Sequence, residues 1–121
     1  MTSTRNPPCP KRGEVWWVQF DPKVGAETAK TRPAVVVGVD SIGKLPLRIV
    51  VPVTDWKSSF QQYPWFTKLP ATTTNGLSKA CGADSFQVKS VSVERFTSRL
   101  GRVTPGQLTN IADAIALCIG V

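Results

Sequence analysis

At 121 residues the chain is long enough for one domain with a real core, and its hydrophobic fraction of 41% is that of a folded protein. Lys and Arg outnumber Asp and Glu by 15 to 8, a net charge of +7 that favours an anionic partner, either nucleic acid or an acidic polypeptide. There is no His, which removes imidazole from every mechanism, and Cys9, Cys81 and Cys118 are too scattered for a disulfide framework or a structural zinc site.

In chain order, residues 1–12 read as a flexible leader because Pro7, Pro8 and Pro10 oppose regular structure, and residues 13–121 read as a single domain. Glu14 to Phe20 is aromatic and β-branched, the composition of a first strand, and Asp21-Pro22 stops it. Pro22 to Thr31 is mostly polar with Gly25, an exposed loop expected to be mobile until a ligand orders it. Pro33 opens a second strand that runs to Val39, and Asp40 to Gly43 turns the chain back. A third strand spans Leu47 to Thr54, where Pro52 predicts an edge position or a bulge.

Asp55 to Pro64 is loop-like, Trp65 to Leu69 forms a short strand, and Asn75-Gly76 is a turn signal. Alternation from Ser85 to Val91 predicts a further strand with Phe86 and Val88 on one face, so that Asp84 shares the face of Phe86. Short strands at this spacing indicate a mainly β fold, a barrel of antiparallel strands. The period then changes. Thr104, Pro105 and Gln107 predict a capped C-terminal helix whose apolar face is Leu108, Ile111, Ile115 and Cys118, widened by Ile119, with Cys118 as a buried thiol. Neither apolar run, Val35 to Val39 or Ile49 to Val53, is long enough to cross a bilayer, and the N-terminus lacks an apolar signal core. The expected compartment is the cytoplasm, with no membrane association.

Two residues stand out chemically. Arg32 precedes Pro33, which holds it extended at the mouth of a strand, where a guanidinium can clamp a phosphate through two donors. Thr54 ends the third strand, and its hydroxyl can donate to a phosphate oxygen that gains charge. Each also has an ordinary reading, a surface Arg in a salt bridge and a Thr bonded to local backbone. If the second and third strands pair, the two lie near one rim.

Gly13-Glu14-Val15-Trp16-Trp17-Val18, then Asp21-Pro22, Gly25, Glu27 and Lys30 to Val37, closely resemble the MazF/PemK/Kid family of bacterial toxins. Pro52-Val53-Thr54, Asn75-Gly76-Leu77, Phe86-Gln87-Val88-Lys89 and Arg99-Leu100-Gly101 keep the family's order. The resemblance implies an SH3-like barrel with a C-terminal helix, a homodimer, cleavage of single-stranded RNA at short sequences, and inhibition by an antitoxin with an acidic, disordered tail. It places Arg32 and Thr54 at the scissile phosphate and gives Glu14 and Trp16 an architectural role. Trp16 and Trp17 face opposite ways on a strand, so one packs inward while the other supports a dimer or a substrate edge. Some members carry an acid directly before the Gln that matches Gln87; here that position is Phe86, and Asp84 lies two residues earlier.

The mechanism this implies needs neither metal nor cofactor: the substrate's 2′-hydroxyl attacks the adjacent phosphorus and leaves a 2′,3′-cyclic phosphate and a 5′-hydroxyl. Arg32 and Thr54 are the expected catalytic residues. Asp84 and Glu27 are candidate bases or RNA contacts, alongside water and Arg32 itself. Lys30, Lys57, Trp56 and Lys89 are expected to bind RNA by charge and stacking. The competing readings are an inert nucleic-acid-binding barrel and an antitoxin-binding barrel without turnover.

Overall fold

Runs of β-branched and aromatic residues become the strands of a twisted antiparallel sheet. The computed structural model describes residues 8–22, 24–40 and 45–121. Among them the order is β1 (Glu14–Gln19), β2 (Thr31–Val36), β3 (Leu47–Asp55), β4 (Phe66–Leu69), β5 (Cys81–Asp84), β6 (Lys89–Ser92), β7 (Phe96–Arg102) and α1 (Pro105–Ile119). The sheet path is β4-β5-β3-β2-β1-β7, with β6 alongside β3. The fold is therefore mainly β, an open barrel of short antiparallel strands carrying a C-terminal helix, with β4 and β7 as the two ends of the path. Of the proline-rich leader, residues 1–7 lie outside the described residues. Pro10 is buried and its carbonyl accepts from Arg48 Nε, while Arg12 N donates to Asp40 Oδ1. The turn expected at Asp40 to Gly43 falls mostly on residues 41–44, outside the described residues.

Side-chain alternation makes two cores from one set of strands. Val15, Val35, Val51 and Val53 face one way, into a cluster with Leu69, Ala83 and Ile111 of α1. Val18, Ala34, Val36 and Val50 face the other way and meet Phe20, Val91 and Phe96. Trp16 joins the second cluster, edge-on to Phe96 at 5.8 Å, and its Nε1 donates to Glu14 Oε1. Glu14 also accepts from Lys11 N and pairs with Arg99 at 2.9 Å. Its carboxylate thus ties the chain entry, β1 and β7 together.

Pro52 departs from the expectation of an edge or bulge, since β3 is the most paired strand in the sheet. The physical reason is a change of partner. Residues Leu47–Val50 pair with β6 and Val53–Asp55 pair with β5, so Pro52 sits at the hand-over. The Val37 N–H donates to the Ile49 carbonyl, which by alternation turns the nitrogen of Pro52 away from β2 and into that gap. A missing N–H costs no ladder bond there.

The single strand expected over Ser85 to Val91 is also corrected. Asp84 ends β5 and its carboxylate accepts from Phe86 N at 3.2 Å, which winds Ser85–Gln87 into a 3-10 turn before β6 starts at Lys89. The Asp55 to Pro64 loop contains a 3-10 turn of its own, Ser58–Gln62.

Helix α1 begins with the expected capping box. Gln107 N donates to Thr104 Oγ1 at 3.1 Å, and Thr104 N donates to Gln107 Oε1 at 2.9 Å. Ile111 and Ala114 are buried, with Leu108 and Ile115 packed beside them. Cys118 is only half-buried, against the expectation of a buried thiol, and Ile119 is exposed. Small Ala114 takes the inward place one turn earlier, and the last helical turn extends past the edge of the sheet core. Among the described residues no helix is long and apolar enough to cross a membrane.

Candidate functional site

Three cavities adjoin along one side of the sheet. The middle one, about 270 Å³, is lined by Arg32 from β2, Thr54 from β3, Asp84 from the end of β5, Gln87 from the 3-10 turn, and Glu27 and Thr28 from the β1–β2 loop. A second, about 390 Å³, shares Arg32, Val53 and Thr54 with it and extends past Trp17 and Lys79. A third, about 680 Å³, shares Glu27, Thr28, Asp84 and Gln87 and extends past Trp65, Phe86 and Lys89. Arg32 and Thr54 therefore stand where the first two spaces meet, and the two carboxylates stand where the middle one opens into the third.

The local fold explains each position. Arg32 pairs with Val18 of β1 just before β3 joins β2 at Ala34, so its side chain stands at the open mouth of the sheet. Its Nε donates to the Ala29 carbonyl at 3.2 Å, and its two terminal nitrogens make no hydrogen bond among the described residues. A half-buried guanidinium held by one nitrogen keeps the fork free for an oxyanion. Thr54 is half-buried opposite Gly82 of β5. A Cβ at residue 82 would come within 3.1 Å of Trp56 and 3.2 Å of Phe66, so glycine lets the aromatic wall lie close on the strand and a larger residue would press on it. In that wall Phe60 and Phe66 stack with centroids 3.9 Å apart, and both line the middle cavity.

Asp84 reaches this space from the last position of β5, opposite Phe66, just before the chain winds into the 3-10 turn. Burial pushes its carboxyl above the usual aspartate range, partly opposed by hydrogen bonds from Phe86 N and the Gln87 side chain. Gln87 Nε2 donates to Asp84 Oδ2 at 3.4 Å, while Gln87 Oε1 accepts from Thr28 N at 2.6 Å and from Thr28 Oγ1 at 2.7 Å. The β1–β2 loop, expected to hang free, is thus tied by its Thr28 to the floor of the cleft. Glu27 Oε1 accepts from Val24 N within the same loop.

Among the remaining expected contacts, Lys89 lines the third cavity. Lys30 is exposed at the loop end, with left-handed backbone at φ 65° and its N–H donating to Asp21 Oδ1. Lys57 is exposed at the start of the Ser58–Gln62 turn. Trp56 packs edge-on against Phe60 at 5.6 Å and has Lys68 Nζ 5.3 Å above its ring. Neither Lys57 nor Trp56 lines the three cavities; Phe60 and Phe66 line the middle one. Of the adjacent tryptophans, Trp17 is the one that borders the Arg32 side. The role of Gln87 was hidden in sequence, because its partners Thr28 and Asp84 converge only through the fold. Among the described residues no group of three or more Cys, Asp or Glu side chains gathers as a metal site.

The sequence matches the family described as PemK-like, MazF-like toxins of type II toxin–antitoxin systems over residues 11–119. The chain belongs to this family. It is 38% identical over 113 residues to Endoribonuclease MazF9 of Mycobacterium tuberculosis (strain ATCC 25618 / H37Rv), covering 88% of this chain and 93% of the relative. Among solved structures, MazF from Deinococcus radiodurans superposes with a TM-score of 0.79 at 24% identity, covering 93% of this chain and 98% of that one. An endoribonuclease in complex with its cognate antitoxin, from a mycobacterial species, superposes with a TM-score of 0.72 at 17% identity, covering 93% and 96%. The MazF-like fold of the chain thus carries the cleft formed by the β1–β2 loop, β3 and the Ser85–Gln87 turn.

Proposed function

We propose that this MazF-like protein is a metal-independent, sequence-specific endoribonuclease acting on single-stranded RNA, the toxin of a type II pair. The observation that carries the reading is that Arg32 and Thr54 both line the same two adjoining cavities, with two carboxylates at the far side of one of them. A row of connected spaces suits an extended strand with one phosphate between the guanidinium and the hydroxyl.

In this reading the ribose 2′-hydroxyl attacks the adjacent phosphorus, which explains a requirement for RNA, since DNA lacks that nucleophile. Asp84 takes the hydroxyl proton as the new O–P bond forms; its raised affinity for protons suits a base better than an arginine whose pKa exceeds about 12. Arg32 and Thr54 stabilise the charge that builds on the nonbridging oxygens. The bond to the 5′-oxygen breaks, that oxygen takes a proton from water, and the products are a 2′,3′-cyclic phosphate and a 5′-hydroxyl. Glu27 lines the same cavity as a second carboxylate, while Lys89 and Lys30 attract the flanking phosphates.

An antitoxin with an acidic tail is the partner we assign, on the strength of the +7 charge and the family. A second copy of the chain is the other partner: Val39, Leu45, Leu47 and Ile49 are exposed apolar side chains gathered around one surface hollow. The cytoplasm is the compartment in which such a toxin meets its RNA. The test is incubation of matched RNA and DNA oligonucleotides in chelator, with Arg32→Ala as control. Cleavage of RNA alone, lost in the variant, supports the reading. Salt-dependent binding without cleavage would replace it with an inert binding module.

A further inference from the structure

The third cavity holds an aromatic feature that the cleavage reaction does not use. Phe86 is 63% exposed, an unusual position for a large apolar ring in a chain this short. Its exposure is built in. Asp84 captures Phe86 N, Ser85 is buried with its hydroxyl donating to the Ile111 carbonyl at 3.4 Å, and the resulting turn leaves the Phe86 ring outside. The ring meets Trp65 edge-to-face, with centroids 5.6 Å apart and planes at 72°, and Trp65 is itself stacked on Tyr63 at 4.9 Å. Two supported aromatic surfaces at nearly a right angle thus form the corner of an open pocket of about 680 Å³.

The polar groups in that pocket select among occupants. Glu27 and Asp84 both line it, so an acidic peptide would bring carboxylates against carboxylates. A nucleobase would bring N–H donors to the same oxygens. Glu27 Oε2 makes no hydrogen bond among the described residues, and each Asp84 oxygen accepts a single one. Lys89, on the same rim, suits the phosphate that would accompany the base. Because Glu27, Thr28, Asp84 and Gln87 also line the middle cavity, a nucleotide here would be covalently continuous with one at Arg32 and Thr54.

We infer that Phe86 and Trp65 form a specificity subsite that stacks one unpaired nucleobase flanking the cleaved phosphate, and that Glu27 favours a base carrying an exocyclic amino group. The inference rests on the RNA-cleaving reading of the Arg32–Thr54 cleft. Uracil presents carbonyl oxygens on both sides of its N–H and is the base that this carboxylate disfavours.

The experiment uses the full chain and Phe86→Ala, Phe86→Trp and wild type, with circular dichroism to show that each is folded; exposure of the ring makes the substitutions tolerable. Cleavage of an RNA pool randomised around a fixed site is sequenced. Wild type shows an amino-base preference at one position beside the cut. Phe86→Ala lowers kcat/KM for the preferred sequence by about tenfold to a hundredfold and flattens the preference at that position alone, and Phe86→Trp restores it. Binding of an oligonucleotide with 2′-deoxyribose throughout, read by tryptophan fluorescence, tests the subsite without cleavage. Quenching of the wild type by a base at the flanking position, lost in Phe86→Ala, supports the subsite even if no RNA is cut. Unchanged preference and unchanged quenching in Phe86→Ala overturn it, as does a variant that weakens binding of a polyglutamate peptide while leaving RNA selection intact.

Discussion

Replacing Arg32 tests how charge and geometry divide the work of the cleft. In Arg32→Ala the guanidinium fork is gone, while the backbone continues into β2 through Pro33. The side chain is half-buried, is in no ion pair among the described residues, and makes one hydrogen bond, from Nε to Ala29. Its loss should therefore cost the fold about 1 kcal/mol or less. The chemical step should suffer far more. Removing one preorganised donor from a developing oxyanion costs roughly 10²- to 10³-fold in kcat, about 3–4 kcal/mol. Arg32→Lys keeps the charge but not the fork, and should recover only part of that loss. Single-turnover cleavage of a fluorogenic RNA in chelator, with thermal unfolding measured in parallel, separates the two effects. Thr54→Val supplies the comparison: if both groups contact one phosphate, the double variant is less impaired than the product of the single losses. Arg32→Ala within threefold of wild type, at unchanged stability, would refute the placement of the phosphate.

Other perturbations follow from the same geometry. Asn75 is buried, accepts from Thr72 N and Leu77 N at 3.0 Å each, and donates to the Pro70 carbonyl at 2.8 Å. Asn75→Ala leaves those three groups unpaired and should destabilise the protein by about 3 kcal/mol, a melting-temperature drop of roughly 10 °C by calorimetry. Gly76 has φ +72°, and a Cβ there would collide with the Leu100 backbone, so Gly76→Ala should lower stability measured by urea titration rather than be silent. With Asp84 as base, cleavage rises with pH as its carboxyl loses a proton, and burial places that rise above the usual aspartate range. Gln87→Leu removes a hydrogen bond that favours the carboxylate, so the rising limb of a kcat/KM profile should move to higher pH. A limb that stays put would assign the base elsewhere.

Much of the fold was legible because periodicity and capping are local. The aromatic run of β1, the box of Thr104 and Gln107, and the valine-rich runs of β2 and β3 each contain their own signal. The failures share a different cause, which is that partners distant in sequence decided the outcome. Pro52 reads as an edge residue until β5 and β6 are seen to exchange places beside it. Ser85 to Val91 reads as one strand because alternation cannot report that Asp84 captures a backbone N–H two residues on. Cys118 completes a helical stripe, yet the core ends one turn sooner. At the site, Arg32, Thr54, Glu27 and Asp84 could be named as candidates from local context and family resemblance. Their shared cavity, and the tie from Gln87 to Thr28, required the fold. Trp56 packs over Gly82 beside Phe60 and Phe66, a neighbourhood that sequence alone does not show.

The most direct measurement places a single 2′-deoxyribose immediately 5′ of the cleaved phosphate in an otherwise all-RNA oligonucleotide, with cleavage and end groups followed in chelator. The all-RNA strand should give a 2′,3′-cyclic phosphate and a 5′-hydroxyl, and the substituted strand should bind but stay intact. Cleavage at the deoxy position, a 5′-phosphate on the product, or a need for added divalent metal would contradict attack by the substrate's own hydroxyl between Arg32 and Thr54.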